Sequence, residues 1–220
     1  FFMHKNVANL IDIKKKINLK KSASVNEVKV IAISKTFSME NILPLIDYGH
    51  LDFGENKVQE ANDKWNTIKE KKKDLKLHMV GRLQTNKVKQ ALKIFDYIHS
   101  LDSIKLAKKI SEEQKKIKKK VKIFIQINIG NEKQKSGINI DELNYFYNLC
   151  VNDLDLDIIG LMCLPPANLD PSVYFENMRE TSKNLSLNDL SMGMSSDFLT
   201  AIKFNASYVR IGSKIFGKRD

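Results

Sequence analysis

Cysteine is scarce in this chain of 220 residues, with Cys150 and Cys163 the only two. Their spacing fits neither a metal-binding motif nor a disulfide framework, so a reducing compartment, the cytoplasm, is the expected location. No apolar run approaches the length of a membrane span. The opening Phe1-Phe2-Met3-His4-Lys5 lacks a signal-peptide pattern. Internal repeats and low-complexity linkers are also missing. No domain boundary is therefore expected, and residues 1–220 read as a single domain. Arginine is rare as well: Arg82, Arg179, Arg210 and Arg219 are the only four in a chain whose formal net charge is +11. Nucleic-acid readers favour arginine for bidentate contacts. Here the basic charge is carried by lysines in three stretches, 14–21, 69–76 and 115–122, each in or beside a predicted helix. Solvated helix faces explain such runs better than a nucleic-acid or membrane surface.

What the chain does have is strand-like runs alternating with helix-like segments from end to end. Strands are predicted at 28–34, 51–53, 77–80, 94–98, 121–127, 156–162, 189–192 and 206–210. Helices are predicted at 5–20, 38–48, 56–72, 84–92, 103–119, 140–151, 171–185 and 196–203. The N-terminal helix carries Val7, Leu10, Ile11 and Ile17 on one face. The next-longest amphipathic segments set Val58, Ala61, Trp65 and Ile68, then Ile104, Ala107, Ile110 and Ile117, at helical spacing. Alternating β and α segments imply a parallel sheet. Eight of them closing on themselves make an α/β fold of the (β/α)8, or TIM-barrel, type. A doubly wound open sheet is the competing architecture. It is weakened because no Gly-rich phosphate loop follows the first strand.

In such barrels chemistry sits at the C-terminal mouth, on the residues that end the strands. Strand one ends at Lys35, and strand two leads into Gly54-Glu55-Asn56. Strand three holds His78 and leads into Gly81-Arg82. Strand five ends at Asn128 and strand six at Met162-Cys163. Strand seven leads into Gly193-Met194-Ser195-Ser196, and strand eight ends at Arg210 before Gly212-Ser213. A lysine at the mouth of a buried strand is partly desolvated, which favours its neutral, nucleophilic form. It could condense with an aldehyde; the alternative is a strand-terminal lysine that simply reaches water. Ser195 and Gly212-Ser213 stand ahead of a helix and a final turn, where backbone N–H groups and hydroxyls suit a phosphate or merely cap the helix. Arg210 needs a partner, either a structural carboxylate such as Glu55 or a ligand acceptor. An imine-forming lysine, a phosphate cradle and an arginine at one mouth together match pyridoxal 5′-phosphate.

Seven ordered motifs add to this pattern. They are Ala32-Ile33-Ser34-Lys35-Thr36, Asp52-Phe53-Gly54-Glu55-Asn56-Lys57-Val58-Gln59-Glu60 and His78-Met79-Val80-Gly81-Arg82-Leu83-Gln84-Thr85-Asn86-Lys87. Lys135-Ser136-Gly137, Gly160-Leu161-Met162, Leu190-Ser191-Met192-Gly193-Met194-Ser195 and Val209-Arg210-Ile211-Gly212-Ser213 complete the set. Over nearly its whole length the chain resembles the pyridoxal phosphate homeostasis proteins, the YggS/PROSC family. The resemblance implies a barrel like the N-terminal domain of alanine racemase. It also implies that Lys35 holds the cofactor as a Schiff base and that Asn56 lies at its ring. Ser195, Gly212 and Ser213 would hold the phosphate, and Arg210 would face the pyridine nitrogen. The family often shows threonine where Cys163 and Ser213 stand; Ser213 keeps the hydroxyl and Cys163 does not.

An arginine at the pyridine nitrogen disfavours ring protonation and makes the ring a poorer electron sink, because a guanidinium is effectively always charged. Related racemases take a second base from a further, β-rich domain, which the few residues after strand eight are not expected to supply. His78 is the remaining candidate for that base, and a satisfied core histidine is its other reading. The expected function is therefore a protein that holds and hands over pyridoxal 5′-phosphate in vitamin B6 homeostasis. Its expected partners are the free cofactor and, in transient contact, apoenzymes that use it. The alternative is a pyridoxal-phosphate-dependent racemase or lyase of amino acids. No metal is expected.

Overall fold

A computed structural model describes residues 3–21, 27–132 and 134–218. Arg219 and the chain end at Asp220 lie outside the described residues. Eight parallel strands close into a barrel in chain order, with the last pairing to the first. They are β1 (Lys29–Ile33), β2 (Asp52–Glu55), β3 (Lys76–Met79), β4 (Tyr97–Leu101), β5 (Lys122–Ile127), β6 (Asp157–Cys163), β7 (Asp189–Met194) and β8 (Tyr208–Ile211). Helix α1 (Lys5–Lys20) precedes the barrel. Between strands run α2 (Met39–Asp47), α3 (Val58–Lys71), α4 (Val88–Ile94), α5 (Ile104–Ile117), α6 (Leu143–Asn148), α7 (Ser172–Asn184) and α8 (Phe198–Lys203), and α9 (Ser213–Phe216) follows β8. The (β/α)8 expectation holds strand for strand.

Two boundaries differ from the sequence-based expectation for a physical reason. Strand four was expected at 94–98 but begins at Tyr97, because Ile94 is the last residue of α4 and the Phe95 N–H still bonds to the Ala91 carbonyl. Helix packing and strand packing use the same apolar side chains there, so the run alone cannot mark the change. The helix expected at 140–151 is a 3₁₀ turn (Ile140–Glu142), α6 and a π-type turn (Leu149–Asp153). On α5, Ile104 is exposed rather than inward, while Leu106, Ala107 and Ile110 are buried.

Apolar burial falls into two separate clusters, as parity along the strands requires. Val30, Ala32, Leu77, Met79, Ile123, Ile125, Val209 and Ile211 point outward and pack under the helices. Ile31, Ile33, Tyr97, Phe124, Met162 and Tyr208 point inward and fill the barrel. Helix α1 locks the outer layer beside the mouth: Asn6 Nδ2 donates to the Asn41 carbonyl at 2.9 Å and Asn9 Nδ2 to the Ile215 carbonyl at 2.9 Å.

Most lysines in the three basic stretches are exposed, as expected, but two are structural. Lys69 Nζ donates to the Ile94 carbonyl and to Asp96, and Lys119 Nζ to the carbonyls of Leu92 and Phe95. Both ammonium groups thus satisfy orphan carbonyls at the C-terminus of α4, where the helix dipole favours positive charge. Among the described residues, no helix is long and apolar enough to cross a membrane, and no cluster of His, Cys, Asp and Glu could hold a metal ion.

His50, between α2 and β2, is 3% exposed and donates from Nε2 to the Asp52 carbonyl at 2.9 Å. Burial, aided by the charge of Lys14, pushes its pKa down from 6.5 to about 4. It is neutral in the folded chain and protonates on unfolding, so its contribution is intact above pH 6.5 and is lost as pH falls toward 4. Denaturant titrations followed by Trp65 fluorescence should show that His50→Gln removes about 2.5 kcal/mol of the stability loss between about pH 7 and about pH 4.5. An unchanged pH slope in the variant would contradict this assignment.

Candidate functional site

The loop after β1 is braced from α3. Ser34 is fully buried, and its Oγ donates to Glu55 Oε1 at 2.7 Å. Lys64 Nζ donates to the Ser34 carbonyl at 3.0 Å, to Glu55 at 3.1 Å and to Glu60 at 3.0 Å. The Thr36 N–H donates to Glu60 Oε1 at 2.6 Å. Burial raises the Glu60 carboxyl, but the Thr36 N–H and the Lys64 ammonium outweigh it and hold the pKa below the ordinary range. Thr36 adopts a left-handed φ of 68°, so the chain turns sharply there. Lys35 sits between these fixed neighbours, half-buried, two residues beyond the end of the strand rather than within it.

On the neighbouring strand, β2 ends at Glu55 and Asn56 follows. Its Oδ1 is buried with no hydrogen-bond partner among the described residues. Gly81, after β3, lies so close that a Cβ there would stand 2.4 Å from the Asn56 carbonyl oxygen and 2.8 Å from its Cα. Only glycine admits this approach. Gly193 on β7 is constrained in another way, with φ +92° and a hypothetical Cβ 2.7 Å from the Ala201 Cβ. Ser195 follows, and its Oγ accepts from the Gly212 N–H at 3.3 Å and from the Lys214 N–H at 3.4 Å. That hydroxyl ties the loop after β7 to the start of α9. Asp197 fixes the same loop by accepting from the Met194 N–H at 2.6 Å.

Arg210 is 5% exposed on β8. Its Nη1 donates to Ser191 Oγ at 2.6 Å and its Nη2 to the Cys163 carbonyl at 2.9 Å. Burial lowers its pKa, but a guanidinium stays charged. Glu55, one expected partner, is committed to Ser34, Lys64 and Trp65 Nε1 instead. Cys163 serves through its backbone oxygen, so the missing hydroxyl at that position does not cost this contact. Its thiol is inert, pushed up to about 12 by burial.

These residues surround one cavity of about 940 Å³. Lys35, Asn56, Ser195, Arg210, Gly212 and Ser213, the six residues singled out from the sequence, all line it. Lys214, Lys218, Ser196, Val80 and Leu164 line it too and were not singled out. Lys214, directly after the Gly212-Ser213 pair that follows β8, could have been read from the strand-end rule, whereas Val80 and Leu164 look like any core residue in sequence. Four cationic side chains and no carboxylate are found among the described lining residues. The site is thus built for an anion with a partly apolar body. His78 is not at this mouth. It is fully buried inside the barrel, with Nε2 3.0 Å from Asp52 and Nδ1 2.9 Å from His99. The core reading of His78 holds, and its candidacy as a second base at the mouth does not.

Comparison with known proteins gives a consistent result. The family model for the alanine racemase N-terminal domain matches residues 9–220. A Pasteurella multocida relative named pyridoxal phosphate homeostasis protein is 36% identical over 203 residues, covering 88% of this chain and 87% of its own. An Escherichia coli K12 relative of the same name is 34% identical over 206 residues, covering 90% and 88%. The solved structure of PipY from Synechococcus elongatus, described with PLP bound, superposes with a TM-score of 0.85 at 29% identity, over 96% of this chain and 100% of that one. Alanine racemase of Clostridium difficile shares the fold, with a TM-score of 0.72 at 14% identity over 57% of its length.

The close approach of Gly81 to Asn56 gives a direct test. Gly81→Ala should lower stability by about 1–3 kcal/mol, read as a reduced denaturant midpoint, because backbone has to move. A wild-type midpoint would mean the two loops are not in contact.

Proposed function

The chain belongs to the pyridoxal phosphate homeostasis proteins, and from that premise we propose that it binds pyridoxal 5′-phosphate at the barrel mouth and serves intracellular vitamin B6 balance. The observation that carries this reading is the charge of the cavity: four cations and no described carboxylate around an opening of about 940 Å³. The residues fit the group. Asn56 Oδ1 is a buried acceptor in want of a donor, such as the phenolic hydroxyl of the ring. Val80 and Leu164 offer apolar contact to its body.

The group supplies an aldehyde that condenses reversibly with an amine. Lys35 is the amine we assign to it, as a Schiff base on a turn held by Glu55, Glu60 and Lys64. Ser195, Gly212 and Ser213 take the phosphate, using hydroxyl and backbone donors that converge after β7 and β8. Arg210 presents a permanently charged donor to the pyridine nitrogen and keeps that nitrogen an acceptor. A ring held in this way draws electrons weakly, which suits storage better than carbanion chemistry. We read the protein as a carrier, one domain over residues 1–220, working in the cytoplasm, where its two free cysteines remain reduced. The cofactor would pass on to apoenzymes in transient contact.

Absorbance after incubation with pyridoxal 5′-phosphate and desalting tests this. Wild type should keep an imine band that borohydride fixes on the peptide containing Lys35, and Lys35→Ala should lose it. Arg210→Ala should hold the cofactor at least about tenfold more weakly, since buried charge-assisted hydrogen bonds are worth that much. Lys118→Ala, in an exposed stretch, should match wild type. Equal spectra for wild type and Lys35→Ala would overturn the assignment.

A further inference from the structure

Beneath the mouth, a continuous row of polar side chains crosses the inside of the barrel. Asp52 stands at the first residue of β2, with His78 on β3, His99 on β4, Ser191 on β7 and Arg210 on β8. The links are Asp52 Oδ1 to His78 Nε2 at 3.0 Å, His78 Nδ1 to His99 Nε2 at 2.9 Å, His99 Nδ1 to Ser191 Oγ at 2.8 Å, and Ser191 Oγ to Arg210 Nη1 at 2.6 Å. His78, His99 and Ser191 are wholly buried. Aromatic walls fix the two rings: His78 stacks on Tyr97 at 4.3 Å and His99 on Phe124 at 4.4 Å, with Tyr208 edge-on to both His99 and Phe124.

The two ends dictate the protons between them. An ionised carboxylate only accepts, and a guanidinium only donates. Asp52 is ionised: burial raises its pKa, but the hydrogen bond from His78 brings it below the ordinary value. His78 must then donate from Nε2. Burial keeps both imidazoles below the ordinary histidine range, so each carries one proton. With its proton on Nε2, His78 accepts at Nδ1 from the Nε2–H of His99. His99 in turn accepts at Nδ1 from the Ser191 hydroxyl. Ser191 has donated its only proton, so its oxygen turns a lone pair to Arg210. Every hydrogen bond runs the same way, from the cation at the mouth to the anion at the floor, an arrangement in which neighbouring bonds polarise and strengthen one another. The order Asp–His–His–Ser resembles a relay to a nucleophile, but Ser191 has no exposed surface from which to attack anything.

We infer that Asp52, His78, His99 and Ser191 are positioning residues for Arg210, fixing the guanidinium so that its remaining donors face the ligand in the mouth. The role in cofactor binding rests on the function proposed above; the proton order does not. In cofactor-free protein labelled with ¹⁵N-histidine, long-range ¹H–¹⁵N spectra should show His78 and His99 both as Nε2–H tautomers at neutral pH. Asp52→Ala should release this order and give His78 a mixed or Nδ1–H state. A doubly protonated His78, or an Nδ1–H His99, in wild type would overturn the row. In the presence of pyridoxal 5′-phosphate, Ser191→Ala should raise the dissociation constant roughly tenfold and shift the bound absorbance band, with Ser191→Thr recovering most of the loss. If wild type binds the cofactor and Ser191→Ala and Asp52→Ala match it in affinity and spectrum, the positioning role is wrong. If wild type binds none, the functional reading fails while the tautomers still decide the row.

Discussion

Arg210 is a cation placed where cations are expensive. It is 5% exposed, and among the described residues none of its direct hydrogen-bond partners is a carboxylate. Burying an ion without a counter-ion costs several kcal/mol even after relaxation. Two neutral oxygens, from Ser191 and Cys163, meet part of that cost. The Asp197 carboxylate, not hydrogen-bonded to the guanidinium but near enough to favour its charge, offsets part of the rest. A carboxylate placed directly against Arg210 would neutralise the charge that the mouth presents. With Asp197 held on the Met194 N–H instead, the guanidinium stays available to an anion or an acceptor at the mouth.

The same economy of charge governs β2, two strands round the barrel from Arg210. Glu55 is fully buried and gathers donors from Ser34, Lys64 and Trp65. Lys64 then reaches Glu60, and Glu60 takes the N–H of Thr36. These residues occupy the acids near Lys35 before a ligand arrives. The carboxylates closest in sequence to the mouth serve as scaffold, and the lining that remains is cationic. That division explains how one motif, Gly54-Glu55-Asn56, supplies both a structural acid and a ligand-facing amide at adjacent positions. Successive side chains point to opposite sides of the strand, so Glu55 goes to the helices and Asn56 to the mouth.

Much of this was legible in the sequence, for reasons that separate cleanly. Eight strands could be counted because buried parallel strands read as apolar runs bounded by polar turns. The mouth could be listed residue by residue because the barrel puts its chemistry at strand ends, and Lys35, Asn56, Ser195, Arg210, Gly212 and Ser213 do meet at one cavity. The interior row was not legible. In β1 the run Val30-Ile31-Ala32-Ile33 is apolar on both faces, so parity cannot be read from it. Ser191 sits within Leu190-Ser191-Met192, where a single small polar residue carries no mark of a partner. Asp52 and Arg210 are far apart in sequence, and only barrel closure brings β2 and β8 around one axis.

On the proposed function, a holder of a reactive aldehyde would have to reconcile grip with release, and the two halves of the barrel are suited to different parts of that task. Below the mouth, stacked His78, Tyr97, His99 and Phe124 form a floor with fixed ring planes and no room for rearrangement. Such a core shifts between discrete packings or not at all. Above it, Ser195, Ser196, Lys214 and Lys218 stand on loops and on the single turn of α9, which loses little on moving. On the function proposed above, orientation would come from the rigid floor through Arg210, and exchange would be left to the open rim. Lys35 would then be only one part of the grip. Specificity would rest on an arginine whose direction is set from the other end of the barrel.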